Sequence, residues 1–193
     1  MRVSVKRIAG DEADHLLVQS DRYMAALYPA ESNHLVSSAS LRGRHALFLG
    51  AFTDQGTRSA TANPCIGCVA ARFYQAAGYA EIKRLFVDEG YRGHSIARTL
   101  MVAIEEGIVA EGINCARLEM GIYQPEATAL YQSMGYRVIA PFGDYQLDPL
   151  SQFLEKKGCR VTISPIFIGS NVFRDALNNL SQSMGFTPRK TAL

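Results

Sequence analysis

Nowhere in its 193 residues does the chain hold the roughly 18 consecutive apolar residues that a membrane-crossing helix needs. The opening MRVSVKRIAGDEAD turns polar before either such a run or the apolar core of a secretory signal accumulates, which sets the expectation of a cytoplasmic protein with no membrane partner. Charge of one sign is also lacking. Twenty Lys and Arg stand against 18 Asp and Glu, a formal net charge of +2, so no basic field argues for nucleic acid. Cysteine is scarce: Cys65, Cys68, Cys115 and Cys159 are too few and too irregular for a secreted disulfide framework. Cys65 and Cys68 do have CxxC spacing. A zinc site would want a second such pair, and a redox pair would open a helix, whereas these two lead into a strand pattern; they read as small apolar strand residues, with no metal expected. Tryptophan is absent altogether, which excludes no function.

What is present is ordinary for a globular protein: 48% hydrophobic and 20% charged residues, and a length that suits one domain with a full core plus an appendage. The stretch 80–111, AEIKRLFVDEGYRGHSIARTLMVAIEEGIVAE, organises the rest. Ile82, Leu85 and Val87 belong to a strand, Asp88 to Gly90 make a turn, and the apolar stripe Ile96, Leu100, Ile104 and Ile108 marks a helix. The first amides of a helix have no internal partner and carry the positive end of its dipole. An anion is therefore favoured between Arg92 and Ala97.

In chain order, Val3 to Ile8 alternates as a first strand, and a helix from Glu12 to about Leu27 is expected to bury Leu16, Met24 and Leu27. It has an N-cap candidate in Asp11, a break candidate at Ser20-Asp21, and its end at Pro29. A short helix around Leu35 to Ser40 follows. His45 to Phe52, Cys65 to Tyr74 and the strand of the organising stretch predict an antiparallel meander, with a polar connection after Phe52. Cys115 to Met120 is a further strand. Pro125 opens a helix bearing Ala127, Leu130, Tyr131 and Met134 on one face, and Gly135 ends it before a strand at Tyr136 to Ala140. Residues 148–156 read either as a helix start or as an edge strand. Beyond Gly158, a strand and a final helix from Val172 to Met184 are expected.

The segments RLFV (84–87), YRGHSIARTL (91–100), LEMG (118–121), QPEA (124–127) and ALYQSMGY (129–136), in this order and spacing, resemble the GNAT superfamily of N-acetyltransferases from about Ala46 to Lys157. The resemblance implies an α+β fold of three layers: a mixed, mostly antiparallel sheet with helices on both faces, splayed between the strand of Arg84 to Val87 and that of Arg117 to Met120. It implies a GNAT domain over residues 1–158 and a C-terminal extension over 159–193, which could serve as a dimer contact, a cover for the acceptor site or an appendage. It implies acetyl-CoA as co-substrate, with main-chain groups of Leu85, Phe86 and Val87 along its pantetheine arm. The pyrophosphate would lie against Arg92, Gly93, His94, Ser95, Ile96 and Ala97. Ser95 stands where the family motif has its first Gly. A left-handed backbone there would cost roughly 1–2 kcal/mol, so a right-handed helical backbone, with the hydroxyl as an added donor, is the expectation.

Acetyl transfer to an amine needs a proton acceptor, because an alkylamine has a pKa near ~10.4, and it needs help for a departing thiolate. By resemblance Tyr131 is the acid and Glu81 the base, with Glu119 or a water relay as rivals for the latter. The acceptor implied is a primary amine of a small molecule or peptide, bound around Tyr23 to His34 and Pro141 to Tyr145. A CoA-responsive binding or regulatory protein on the same fold is the alternative.

Overall fold

The computed structural model describes residues 1–32, 36–53 and 64–159. The expected strand and helix beyond Gly158, most of the extension and most of the polar connection after Phe52 lie outside these residues. Seven strands form one sheet: β1 (Val3–Arg7), β2 (Ala46–Thr53), β3 (Cys65–Tyr74), β4 (Tyr79–Val87), β5 (Cys115–Gly121), β6 (Arg137–Ile139) and β7 (Ser151–Lys157), in the spatial order β1-β2-β3-β4-β5-β7-β6. All neighbours are antiparallel except β4 and β5, which pair in parallel. Parallel neighbours need a crossover, and α3 (Ile96–Ala110) supplies it. The other helices are α1 (Asp14–Leu27), α2 (Ser38–Leu41) and α4 (Pro125–Ser133).

Strand alternation separates two apolar layers. Leu47, Leu49 and Ala51 of β2, with Ala80 and Ile82 of β4, share a core with Leu100, Met101, Ile104 and Ile108 of α3. Phe48 and Phe86 turn the other way and pack with Leu16 and Leu17 of α1 and with Leu41. At the β5 end this second face is covered by a loop instead of a helix, and Tyr79, Cys115 and Phe153 lie under Phe142. Among the described residues, the face between α1 and that loop is open.

Several boundaries follow the expected chemistry. Pro125 occupies the first turn of α4, where a missing N–H costs nothing. Gly135, at φ 88°, ends it, and Tyr136 N–H donates back to the Tyr131 carbonyl at 3.0 Å in a Schellman closure. Other expectations are corrected. Helix α1 runs unbroken through Ser20 and Asp21, starts from Ala13 rather than Asp11, and buries Leu16, Leu17 and Ser20 instead of Met24 and Leu27. The ambiguous 148–156 segment is strand β7, inserted between β5 and β6 rather than at an edge. Cys65 and Cys68 are buried in β3. Burial pushes their thiols up to about 11 and about 12, so both are poor thiolates near neutral pH.

Candidate active site

Strand β4 ends at Val87, and the Asp88 carboxylate accepts from Gly90 N–H at 3.0 Å to shape the turn that follows. Gly93 lies at φ 79° and Ser95 at φ 60°. His94 Nδ1 sits 2.9 Å from the Arg92 carbonyl and 3.3 Å from that of Tyr91, so the ring braces its own loop. The first amide bonded inside α3 is Thr99 N–H, which donates to the Ser95 carbonyl at 3.0 Å. Among the described residues, the amides from Gly93 to Arg98 have no acceptor within the protein. A run of free amides at a helix N-terminus, at the positive end of its dipole, suits an anion.

Ser95 corrects the expectation of a right-handed backbone: at φ 60° and ψ 16° it is left-handed, and its side chain makes no capping hydrogen bond. The strain of about 1–2 kcal/mol is therefore present in the native loop. Ser95→Gly relieves it, partly offset by the greater freedom of glycine in the unfolded chain, so a net stabilisation of ~0.5–1 kcal/mol is expected in denaturant titration. An unchanged or lower midpoint would refute the strain. Arg92 is held by the protein itself. Its Nε donates to the Val87 carbonyl at 3.2 Å, its guanidinium stands 5.5 Å from the ring centroids of both Tyr23 and Phe86, and Glu89 lies at 3.8 Å. Arg92 thus clasps the loop to β4 and α1, with its charge beside the cradle.

The parallel pairing of β4 and β5 covers only Ala80, Ile82 and the residue between them. Beyond Ile82 and Leu118 the strands part, and β5 from Glu119 to Gly121 pairs with β7 but not with β4. At the same point β4 bulges: Arg84 and Leu85 together stand opposite Val69, and Arg84 takes φ 58°. The bulge is held from outside, because the Arg84 guanidinium pairs with Asp21 of α1 and donates to the Val36 carbonyl at 2.7 Å. Among the described residues, the edge of β4 from Lys83 to Val87 that faces β5 is left without a strand partner.

The resulting cleft, about 100 Å³, is lined in part by Leu85, Glu119, Met120 and Tyr131. Tyr131 descends into it from α4, 7% exposed, with its ring 5.7 Å from that of Tyr136. Its hydroxyl has no hydrogen-bond partner among the described residues. Burial, and secondarily the Glu119 carboxylate, raise its pKa, so it is a neutral donor through the physiological range. Glu119 itself accepts from Ser151 Oγ at 2.7 Å.

Glu81 lies elsewhere. It is 4% exposed and lines a neighbouring chamber of about 640 Å³ on the open part of the second face. Tyr145 Oη donates to its Oε1 at 2.6 Å, Lys83 Nζ stands 3.2 Å from the same oxygen, and Tyr74 Oη donates to Oε2 at 3.3 Å. Lys83 Nζ also donates to Tyr145 Oη, which closes the ring of contacts. The structure thus places Tyr131 and Glu119 in one cleft and Glu81 in the next, with Ser32, Val36 and Lys83 lining both. Lys83, Tyr74 and Arg72 were not singled out from the sequence. Strand alternation could have found them, since Tyr79, Glu81 and Lys83 share one face of β4, and Arg72 and Tyr74 the facing side of β3.

A sheet opened between two parallel strands, with a free amide cradle where the crossover helix begins, is the construction of a GNAT-type acyltransferase. The family model for the acetyltransferase (GNAT) domain matches residues 51–138. An IAA acetyltransferase of Azospirillum brasilense is 41% identical over 146 residues, covering 76% of this chain and 90% of that protein. Among solved structures, a Klebsiella pneumoniae protein assigned as an acyl-CoA N-acyltransferase superposes with TM-score 0.66 at 27% identity, over 81% of this chain and 97% of that one. The PaiA N-acetyltransferase of Thermoplasma acidophilum, solved in complex with coenzyme A, gives TM-score 0.60 at 23% identity, over 81% and 99%. The chain belongs to the GNAT acetyltransferase family, and it is an acyltransferase.

Proposed function

We propose that this protein transfers the acetyl group of acetyl-CoA to a primary amine of a small molecule or peptide by direct attack. The observation that carries the reading is the succession of two features: the β4 edge in the splay, unpaired among the described residues, leads through the turn at residues 88–92 to the free amides of Gly93 to Arg98. Those amides, with the charge of Arg92 beside them, suit a pyrophosphate; Ile96 and Ala97 contribute main chain only. Leu85, Phe86 and Val87 offer strand-type hydrogen bonds to the amide groups of a pantetheine arm. The PaiA complex with coenzyme A supports the same ligand here.

In the reaction, the ammonium first loses a proton, for which Glu81 is the proposed acceptor, directly or through water. The amine lone pair then forms a C–N bond at the thioester carbon, and the carbonyl oxygen gains charge beside the β4 edge. As the C–S bond breaks, the Tyr131 hydroxyl hydrogen-bonds the departing sulfur and supplies its proton, and the proton released from nitrogen restores the balance. A screen of primary amines with acetyl-CoA, read by thiol release and by the mass of the acetylated product, tests the proposal. Release of thiol that depends on one amine and yields its acetamide is expected. Hydrolysis alone, across a broad panel, would favour a CoA-responsive binding protein instead.

A further inference from the structure

The chamber beside the cleft has a recognisable chemistry. Arg72 and Glu81 face each other across β3 and β4 as a register pair, which brings their Cβ atoms to roughly 4.5–5.5 Å. They nevertheless form no ion pair, because Glu81 is committed to Tyr145, Tyr74 and Lys83. Arg72 is half-buried and lines the chamber, with its guanidinium 5.5 Å from the Tyr74 ring centroid. Ring contact uses the flat face of a guanidinium and leaves its edge donors, which suit a planar carboxylate. None of those donors has an acceptor among the described residues. On the other side, Glu81 Oε2 carries only the 3.3 Å bond from Tyr74 and retains acceptor capacity. A cation and a carboxylate held side by side but not paired with each other are the complement of a carboxylate and an ammonium separated by one carbon.

Aromatic and apolar side chains make up part of the remaining lining, beside Ser32, Gln146 and the carboxylates of Glu31, Asp144 and Asp148. Tyr74 and Tyr145 stand half-exposed in the lining, and Leu147 extends 87% exposed at the mouth, an apolar side chain that a ligand would cover. A volume of about 640 Å³ suits a ligand of amino-acid size. We propose that the acceptor is an aromatic α-amino acid, its carboxylate on Arg72, its ammonium on Glu81 and its ring between Tyr74, Tyr145 and Leu147. The assignment rests on the amine-acetyltransferase reading above and specifies its substrate class. It also puts the amine beside Lys83, where the chamber meets the cleft. Glu31 and Asp144 on the exposed rim argue for a rival, a polyamine, which the unpaired Arg72 would repel.

The absence of tryptophan from the chain supplies the experiment, because indole emission then reports ligand alone. L-Tryptophan and L-tryptophanamide, which lacks the carboxylate, are titrated with the full-length protein, with and without CoA. Tryptophan is expected to bind about 10-fold more tightly than the amide, as one charge-assisted pair requires. Arg72→Gln should abolish that preference, and Leu147→Ser should weaken both probes about 3-fold without altering it. Equal binding of the two probes to the wild-type protein would overturn the assignment. So would a preference that survives Arg72→Gln, or displacement of tryptophan by spermidine at lower concentration. CoA binding, measured separately by calorimetry, keeps the failures apart: CoA bound without the carboxylate preference sinks the substrate class and spares the transferase, and the reverse result spares Arg72 and sinks the transferase.

Discussion

Tyr131→Phe lowers kcat by about 100-fold and leaves the affinity for acetyl-CoA within about 2-fold. The substitution removes one oxygen and keeps the ring that packs edge-on against Tyr136. Because that hydroxyl has no partner among the described residues, no buried group is stranded by its loss, and stability should hold within ~0.5 kcal/mol. The cost falls on the step in which the C–S bond breaks, since the hydroxyl lines the splay cleft and stays protonated. Its pKa, raised by burial and by Glu119, has a definite consequence. An acid weaker than the leaving thiol, whose free pKa is near ~8.5, first hydrogen-bonds the developing charge and passes its proton to sulfur only as the proton released from nitrogen replaces it. The wild-type rate should then show no alkaline loss attributable to Tyr131 ionisation below pH ~10. A Phe variant with wild-type turnover would remove Tyr131 from the reaction.

Glu81→Gln has the second large effect, a fall in kcat/KM of about 100-fold near neutral pH. The amide keeps the shape of the side chain but loses the charge that faces Lys83 and the acceptor strength that holds Tyr145 and Tyr74. The signature is in the pH profile. If Glu81 takes the amine proton, the variant can use only amine that is already neutral, so its rate climbs tenfold per pH unit up to the pKa of the substrate. Its deficit should shrink as pH rises. A purely positioning role would give a uniform loss with the profile unchanged, and the task of base would pass to Glu119, which shares the cleft with Tyr131.

Much of this arrangement was legible in the residues because local rules fixed it. The meander of β2, β3 and β4 followed from apolar runs separated by turn residues, the ends of α4 from Pro125 and Gly135, and the free amides ahead of α3 from the helix start after Gly93. What was not legible depends on contacts distant in sequence. The 148–156 segment alternates as any strand does, and nothing local says that it enters between β5 and β6. Periodicity placed the inward face of α1 at Met24 and Leu27, but its contacts with β3 and β4 select Leu17 and Ser20. Ser95 was read as right-handed because a serine disfavours the alternative; the loop imposes the left-handed turn regardless. Glu81 was legible as a carboxylate on the central strand, while the clamp from Tyr145, Tyr74 and Lys83 was not. That clamp is the most consequential of these, because it holds Glu81, the proposed base, in a chamber beside the cleft that holds Tyr131.

The account stands or falls on where CoA binds, and amide chemical shifts of ¹⁵N-labelled protein titrated with CoA measure that directly. The amides of Gly93 to Arg98, free of internal acceptors, and those of Leu85 to Val87 are predicted to show the largest shifts, saturating together at one equivalent. Shifts confined to other regions, or none at concentrations that saturate known CoA-binding proteins, would contradict it.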